Sequence, residues 1–180
     1  MELKIIEKIK KELGHSIALK KYSHKAKEQK SFKNNFTGNY NFLLLMPVNE
    51  EHFRESFKVI EFLVARQKNV TLFIRDFKVS LLKKKDKLNI IDYGINDFTK
   101  LYLPSKKICE VIAEKKIDVV IDLNLEDNIY CNVAATHSTA EFYIGFTRGK
   151  QDKFFNLLIV NNENNPAFSY ENLLNSLQMF

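Results

Sequence analysis

Residues 116–124, with the sequence KIDVVIDLN, decide the fold of this chain. Positions 117, 119, 121 and 123 carry aliphatic side chains on one face of an extended strand, and Val120 is apolar on the other face. A strand that is apolar on both faces is typical of the centre of a parallel sheet covered by helices on both sides. Ligands bind to such sheets outside the carboxyl ends of the strands. The stretch therefore predicts an α/β fold and makes Asp122, where the strand ends, a candidate for a functional site.

Apolar segments and amphipathic segments alternate on both sides of this strand. Further strands are predicted at residues 40–46, 70–75, 89–93, 140–146 and 155–160. Helices are predicted at residues 50–67, 104–112 and 170–179 and after Asn124, the last with its core side at residues 129–134, and a weak helix or loop is predicted at 76–87. Alternation at this spacing is typical of βαβ units, so we expect a three-layer Rossmann-like α/β sandwich with a mainly parallel sheet of about six strands.

Asparagines mark the start of two of these helices. Asn49 precedes Glu50 and Glu51, which is typical of an N-cap followed by an acidic first turn. Asn124 has Asp127 three residues after it, an arrangement that resembles a capping box. We therefore expect one helix to begin after Asn49 and another directly after Asn124.

The net positive charge of the chain is concentrated at its N-terminus. The whole chain of 180 residues carries a net charge of +6. Residues 1–35 contain ten lysines and four glutamates, and the difference of +6 leaves the rest of the chain neutral. A narrow apolar stripe at helical spacing runs through this segment and consists of Leu3, Ile6, Ile9 and Leu13.

This segment reads as an extension to the domain. We expect Gly14 to end its helix, with Ile17 and Leu19 as the alternative start of a further helix. Residues 20–38, rich in lysine and then polar, are expected to form a linker. The chain therefore divides into a basic helical extension and linker at residues 1–38 and a single Rossmann-like α/β domain at residues 39–180.

Three kinds of partner are weighed for the extension. Its apolar stripe fits docking on the domain, on another protein, or on a second copy of the chain in a homo-oligomer. Its lysine-rich residues 4–33 fit peripheral contact with an anionic membrane surface. Nucleic acid is the least favoured partner, because no recognisable nucleic-acid motif accompanies the lysines.

Cysteine usage and hydropathy predict where the protein is found. Cys109 and Cys131 form no CxxC pair, so two reduced thiols are expected, as in a cytoplasmic protein. The sequence has no apolar run of the ~20 residues that span a bilayer and no apolar signal core. We therefore expect the cytoplasm, with the inner face of the membrane as the site of any peripheral attachment.

The sequence lacks the motifs that hold nucleotides and metals. A phosphate cradle needs glycines at a helix N-terminus, yet residues 39–93 contain none, and Glu50 and Glu51 would repel a phosphate. This excludes a dinucleotide fingerprint and a P-loop. No HExxH, CxxC or paired histidines support a metal. We therefore expect no cofactor, no metal and no catalytic residue.

Five residues near the predicted ligand edge are candidates for ligand binding: Asn49, His52, Asp122, Asn124 and Arg148. Each has a plainer reading. The plainer reading of His52 is an exposed, idle histidine, and that of Asp122 is an acceptor of local backbone hydrogen bonds. Arg148 follows the fifth strand in the only basic loop on this side, where a solvated turn is the alternative to an anion contact.

A family resemblance extends over about two thirds of the chain. Residues 118–124 (DVVIDLN), three alanines at 134, 135 and 140, and residues 144–146 (IGF) resemble the pattern D-[LV]-V-I-D-L-[QN]…A…A…[RY]-I-G-F. That pattern belongs to the N-terminal, acceptor-side domain of the ADP-heptose:lipopolysaccharide heptosyltransferases, glycosyltransferase family nine. Residues 42–47 (FLLLMP) are similar to the first strand of that domain. The resemblance implies a Rossmann-like fold over residues 40–160.

The resemblance also carries expectations about activity. In that family a Gly-Asp pair after the first strand supplies the catalytic aspartate, and a second domain binds the nucleotide-sugar. The pair falls near Glu51 and His52 here, and 20 residues follow the sixth predicted strand. The resemblance thus implies a non-catalytic, heptosyltransferase-like domain that binds a partner protein or a glycan-like ligand. The alternative is half of a split glycosyltransferase of cell-envelope sugar transfer, whose donor site comes from a second chain.

Overall fold

The computed structural model describes residues 2–22, 38–82, 85–162 and 165–179. Within these ranges the helices are α1 (Glu2–Lys21), α2 (Glu50–Ala65), α3 (Lys106–Ala113), α4 (Ile129–Ala135) and α5 (Pro166–Gln178). The strands are β1 (Asn41–Leu45), β2 (Asn69–Arg75), β3 (Asn89–Tyr93), β4 (Val119–Asp122), β5 (Phe142–Phe146) and β6 (Leu157–Ile159). The predicted alternation of strands and helices is confirmed, except that 3-10 turns at Asp76–Leu81 and Lys85–Lys87 replace the weak helix between β2 and β3.

The strands form one six-stranded sheet in the order β3-β2-β1-β4-β5-β6. Every neighbouring pair is parallel, so the sheet is wholly rather than mainly parallel. The chain moves outward from β1 to β3 on one side and from β4 to β6 on the other. The strand order therefore reverses between β1 and β4, which is the switch point where ligands of such folds bind.

Two apolar cores cover the two faces of the sheet. One core lies between the sheet and the pair α2 and α5 and includes Leu44, Ile121 and Leu173. The other lies between the sheet and α1, α3 and α4 and includes Leu43, Val120 and Val133. Alternation along β1 and β4 sends successive side chains to opposite cores, as the period of a strand requires. The three-layer Rossmann-like sandwich is confirmed.

The strand that decides the fold is shorter than its sequence suggests. Val119 and Ile121 face one core and Val120 the other, as predicted. Ile117, however, lies before β4 begins and packs into the same core as Val120, so its assignment to the face of Ile121 was wrong. The chain enters β4 through Asp118, whose side chain accepts hydrogen bonds from Asn41, the first residue of β1.

The N-terminal helix differs from the prediction in length and in its docking face. α1 continues through Gly14 to Lys21. A Cβ atom at position 14 would lie 2.1 Å from the Leu101 carbonyl oxygen, so the glycine permits close packing and does not end the helix. Ala18 is fully buried beside it, whereas Ile9 and Leu13 of the apolar stripe are exposed. The stripe is therefore not the surface by which α1 docks on the domain.

Other boundaries shift by a few residues. α3 begins at Lys106 with Ser105 as its N-cap, two residues after the predicted start at Pro104. α5 begins four residues earlier than predicted, with Pro166 in its first turn. Residues 23–37 of the predicted linker lie outside the described residues, as do Lys83 and Lys84.

Asp118 should make the stability of the fold depend on pH. Its Oδ2 accepts hydrogen bonds from the backbone amides of Tyr40 and Asn41 at 3.0 and 2.9 Å and from Asn41 Nδ2 at 2.8 Å. Burial disfavours the carboxylate, but these donors outweigh it and lower the Asp118 pKa. A lowered folded-state pKa gives stability that is present above the unfolded-state pKa of about 4 and lost as the pH falls through the folded-state value.

The corresponding test is chemical denaturation of wild type and Asp118→Asn between pH 6 and pH 3. We expect the wild type to be the more stable protein at pH 6 and the difference to shrink steadily as the pH falls. A difference that is independent of pH would show that the carboxylate charge at position 118 does not contribute.

Candidate functional site

Arg148 and Asp122 form a buried ion pair at the carboxyl end of β4. Arg148 Nη2 lies 2.6 Å from Asp122 Oδ2, and the two side chains are 5% and 0% exposed. The turn after β5 delivers Arg148 to this position, since β5 is the neighbour of β4 in the sheet. Arg148 Nη1 also donates to the carbonyl oxygens of Asn124 and Glu126, at 2.9 and 2.7 Å. The guanidinium thereby ties the loop after β4 to the loop after β5.

Asn124 belongs to the same network and does not cap α4. Its backbone N–H and its Nδ2 donate to Asp122 Oδ1 at 2.9 and 2.6 Å, and Nδ2 also lies 3.3 Å from the Leu45 carbonyl oxygen. The predicted capping box at Asn124 was therefore wrong. Asn128 caps α4 instead, and its Oδ1 accepts from the Cys131 amide at 3.2 Å. The helix starts later than predicted because the Asn124 side chain is held against β4.

Gln151, which sequence reasoning missed, connects α4 to this network. It is fully buried in the 3-10 turn after β5. Its Oε1 accepts from the Asn128 amide at 3.2 Å and from Asn132 Nδ2 at 2.6 Å, and Asn128 Nδ2 donates to Asn124 Oδ1 at 3.1 Å. No local pattern separates a buried glutamine in a polar turn from an exposed one, so the sequence carries no signal for this residue.

Asn49 and His52 lie apart from this network, at the start of α2. Asn49 Oδ1 accepts from the amides of Glu51 and His52 at 3.0 and 3.2 Å, so the predicted cap is confirmed. The His52 side chain is half-buried. Within the described residues, no hydrogen bond or ion pair joins either side chain to Asp122, Asn124 or Arg148. The structure thus brings three of the five candidates together, and ligand binding by any of the five stays a prediction.

At the carboxyl end of β4, the side chains of Asp122, Asn124 and Arg148 bind one another. Both oxygens of Asp122 have partners, one in Arg148 and one in Asn124. A ligand that reached this carboxylate would have to displace one of them from a buried position. The network therefore fits a role in holding the strand ends together better than a role as an open pocket.

A cleft of about 970 Å³ opens beside this network, on the side of the sheet covered by α1. Its walls come from α1, from Arg75 at the end of β2, from residues 95–102 after β3 and from residues 127–130 at the start of α4. Because β1 lies between β2 and β4, this cleft borders the switch point of the sheet. It is the candidate site that the fold itself indicates.

Arg75 is the most unusual group in this cleft. Its guanidinium carbon lies 5.4, 5.2 and 5.3 Å from the ring centres of Phe77, Tyr93 and Phe98. Within the described ranges, no carboxylate, carbonyl or hydroxyl oxygen accepts a hydrogen bond from it. The aromatic rings hold the guanidinium in place through cation–π contacts, while its N–H donors are left for a ligand. Sequence reasoning missed Arg75, although its position at the end of a parallel strand was the available signal.

Aromatic side chains line the floor of the cleft around Arg75. The ring of Tyr130 stacks on Tyr93 and Phe98 with centres 4.7 and 4.2 Å apart, and its hydroxyl donates to the Asp97 carbonyl oxygen at 3.2 Å. Tyr102, on the loop facing α1, has a φ of +60°, a left-handed conformation that costs energy for a residue with a side chain. Such strain is most often found at functional sites, which supports the cleft as one.

A second groove, of about 720 Å³, lies along α2. Its lining is mainly apolar and includes Phe57, Ile60 and Leu88, with charges at the rim. It follows α2 from Glu50 to Ala65, and no residue of β4, of the loop after it or of the Asp122 network lines it. We therefore take the Arg75 cleft, and not this groove, as the candidate site.

Comparison with protein families places the chain in one of them. The family described as "Family of unknown function (DUF6913)" matches residues 10–180. The chain belongs to the DUF6913 family. The match begins within α1 and covers the positions of Lys10, Lys11 and His15, which line one wall of the cleft. Comparisons with curated proteins and with solved structures gave no match.

Within the described part of this DUF6913 protein, no group of three or more His, Cys, Asp or Glu side chains is arranged to hold a metal ion. None of the helices in the described ranges combines the length and apolar character needed to cross a bilayer.

Proposed function

We propose that this DUF6913 protein is a non-catalytic binding domain that holds an anionic, glycan-like ligand in the Arg75 cleft. A single observation carries the proposal. Aromatic rings hold the Arg75 guanidinium in place, and no residue in the described ranges accepts a hydrogen bond from it. A guanidinium binds phosphate or carboxylate oxygens through two parallel hydrogen bonds. The phosphate or carboxylate of such a ligand would accept the hydrogen bonds that the Arg75 N–H groups can donate.

The rest of the cleft supports a sugar rather than a bare ion. Clefts for small molecules are lined by apolar and aromatic surface with a few placed polar groups, and 300–1,000 Å³ is the usual range of volume. This cleft offers the rings of Phe98, Tyr102 and Tyr130 together with the polar side chains of Thr99 and Asn128. The resemblance of residues 118–146 to the acceptor-side domain of heptosyltransferases also favours a phosphorylated sugar.

Binding is favoured over catalysis because two buried groups that could take part in chemistry, Asp122 and Cys131, are engaged or inactive. Asp122, the buried carboxylate at the strand ends, is held by Arg148 and Asn124. Burial raises the pKa of the Cys131 thiol to about 12, so it is not a nucleophile at neutral pH. Half of a split glycosyltransferase would also need a donor domain from a second chain, and we therefore place that alternative second.

We further propose a cytoplasmic setting. Cys109 and Cys131 are both free thiols in the structure. Persistent free thiols are typical of a reducing compartment, whereas paired cysteines are typical of an oxidising one.

Isothermal titration of the full chain with a panel of heptose and hexose phosphates tests the proposal. We expect at least one sugar phosphate to bind, while the matching neutral sugars, NAD and ADP do not. Arg75→Met keeps the apolar stem and removes the charged donors, which contribute about 1.5–3 kcal/mol, so affinity should fall by roughly 10- to 100-fold.

The matched control is Arg54→Met, because Arg54 is exposed on α2 and lies outside the cleft. It should leave the affinity unchanged. A panel in which nothing binds, or an Arg75→Met protein that binds as well as wild type, would contradict the proposed function.

A further inference from the structure

α1 presents a stripe of five large aliphatic side chains to solvent. The exposed fractions are 53% for Ile5, 48% for Ile6, 58% for Ile9, 51% for Leu13 and 36% for Ile17. Their spacing of three and four residues places them on one face of the helix. From position 5 to position 17 the stripe is roughly 18 Å long, at 1.5 Å per residue. Contiguous exposed apolar surface of this kind marks an interaction site.

Because of the way α1 docks on the domain, this stripe faces solvent. The opposite face of the helix carries Gly14 and Ala18, which are small enough to pack closely on the domain. A side chain at position 14 would collide with the Leu101 carbonyl oxygen. Rotating the helix to bury Ile9 and Leu13 would bring larger residues to this contact. The stripe is therefore available for a partner in the folded protein.

The charges beside the stripe indicate the kind of partner that it binds. The segment Glu2–Lys21 holds six lysines and three glutamates, a net charge of +3. Lys8 and Lys10, one on each flank of the stripe by helical spacing, are both exposed. A long lysine side chain beside an apolar face reaches a charged layer while its stem stays on apolar surface. This pattern is that of a helix lying on an anionic lipid surface.

A second copy of the chain fits this face less well. Pairing two copies through α1 would bring two helices of the same net charge together. A stable interface of standard size also takes about 20–30 residues and about 800 Å² from each partner, whereas the stripe offers five side chains from one helix. We propose that α1 attaches the protein to an anionic bilayer surface, with Ile5, Ile6, Ile9, Leu13 and Ile17 in the interface and the flanking lysines at the headgroups.

Ile6 and Lys10 also line the Arg75 cleft, so the variants that test attachment to lipid avoid both positions. Ile9 and Leu13, at the centre of the stripe, do not line that cleft. Replacing them should therefore change attachment to lipid and leave the binding of sugar phosphates unaltered. Failure of one proposal does not decide the other.

Sedimentation of the full chain with vesicles is the test. One vesicle sample is pure phosphatidylcholine, and the other contains about one third phosphatidylglycerol. We expect binding to the anionic vesicles only, weakened by added salt because its charge component is screened. The double variant Ile9→Asp/Leu13→Asp should bind about tenfold more weakly or worse. The control Phe168→Asp, at an exposed aromatic position on α5, should bind like wild type.

A second variant guards against indirect effects on folding. Lys4→Glu/Lys8→Glu changes only exposed side chains that lie outside the cleft, and it should also lose binding to anionic vesicles while its melting temperature is unchanged. The proposal is overturned if the wild type does not sediment with anionic vesicles, or if both double variants bind as it does. It is equally overturned if light scattering shows a dimer that Ile9→Asp/Leu13→Asp converts to a monomer and no vesicle binding is seen.

Discussion

Replacing Arg148 by methionine is expected to lower the free energy of unfolding by about 3–5 kcal/mol, because it leaves the buried Asp122 carboxylate without its partner. The Asp122 side chain is fully buried, and Arg148 supplies one of the two groups that bind it. The Arg148 contacts with the Asn124 and Glu126 carbonyl oxygens are lost as well. Against a total stability of about 5–15 kcal/mol, such a loss is large. Urea denaturation of the purified variant measures it.

The matched control is Arg54→Met, an exposed position where the change should stay within about 0.5 kcal/mol. A double variant, Asp122→Asn/Arg148→Met, should lose less stability than the sum of the two single variants, since each single change leaves the other partner unpaired. If Arg148→Met melts like wild type, the pair is not structural. Asp122 would then return to the candidates for ligand binding.

Val120→Asp should yield little or no soluble protein. Val120 is fully buried between the sheet and the helices α1, α3 and α4, at the centre of β4. An unpaired carboxylate at this position costs several kcal/mol even after relaxation or protonation of the group. That cost is comparable to the whole stability of an ordinary domain. Expression in the soluble fraction, followed by circular dichroism of any protein recovered, measures the outcome.

Val160→Asp is the control for this change, since Val160 is 67% exposed just after β6. It should express and melt like wild type. A soluble, normally melting Val120→Asp protein would contradict the burial of β4 between two helical layers, and with it the sheet order derived from that strand.

The central strand and the alternation around it could be predicted from sequence because their signals are local. Apolar runs such as residues 42–45 and 119–121 show where a chain is buried on both faces, and the burial observed agrees. The cap at Asn49 is likewise set by neighbours a few residues away. Periodicity and capping chemistry therefore determined the order of elements and the fold class.

The network around Asp122 is formed by contacts between residues far apart in the sequence, and no local pattern predicts such contacts. Arg148 meets Asp122 across 26 residues, and Gln151 meets Asn132 across 19. The residues after Asn124 fit the pattern of a helix cap. Its side chain nevertheless donates hydrogen bonds to Asp122 and to the Leu45 carbonyl oxygen, because the ends of β4 and β1 lie side by side. Tertiary contacts therefore overrode a correct local preference.

At Gly14, near the N-terminus, a tertiary contact also overrode the local preference. By propensity it favours the end of a helix, but its packing against Leu101 explains its presence within one. The consequence is larger than a boundary error, since a continuous α1 forms a wall of the cleft and turns its apolar stripe to solvent. Neither feature follows from the sequence of the helix alone.

The central claim is that a ligand occupies the Arg75 cleft and not the closed end of β4. Titration of the ¹⁵N-labelled full chain with a heptose phosphate, followed by NMR, tests it most directly. The account predicts that shifts concentrate on the Arg75 side-chain Nε–H and on the amides of residues 95–102 and 128–130, while Asp122, Asn124 and the Arg148 Nε–H stay in place. Shifts centred on Asp122, Asn124 and Arg148, with Arg75 unmoved, would contradict it.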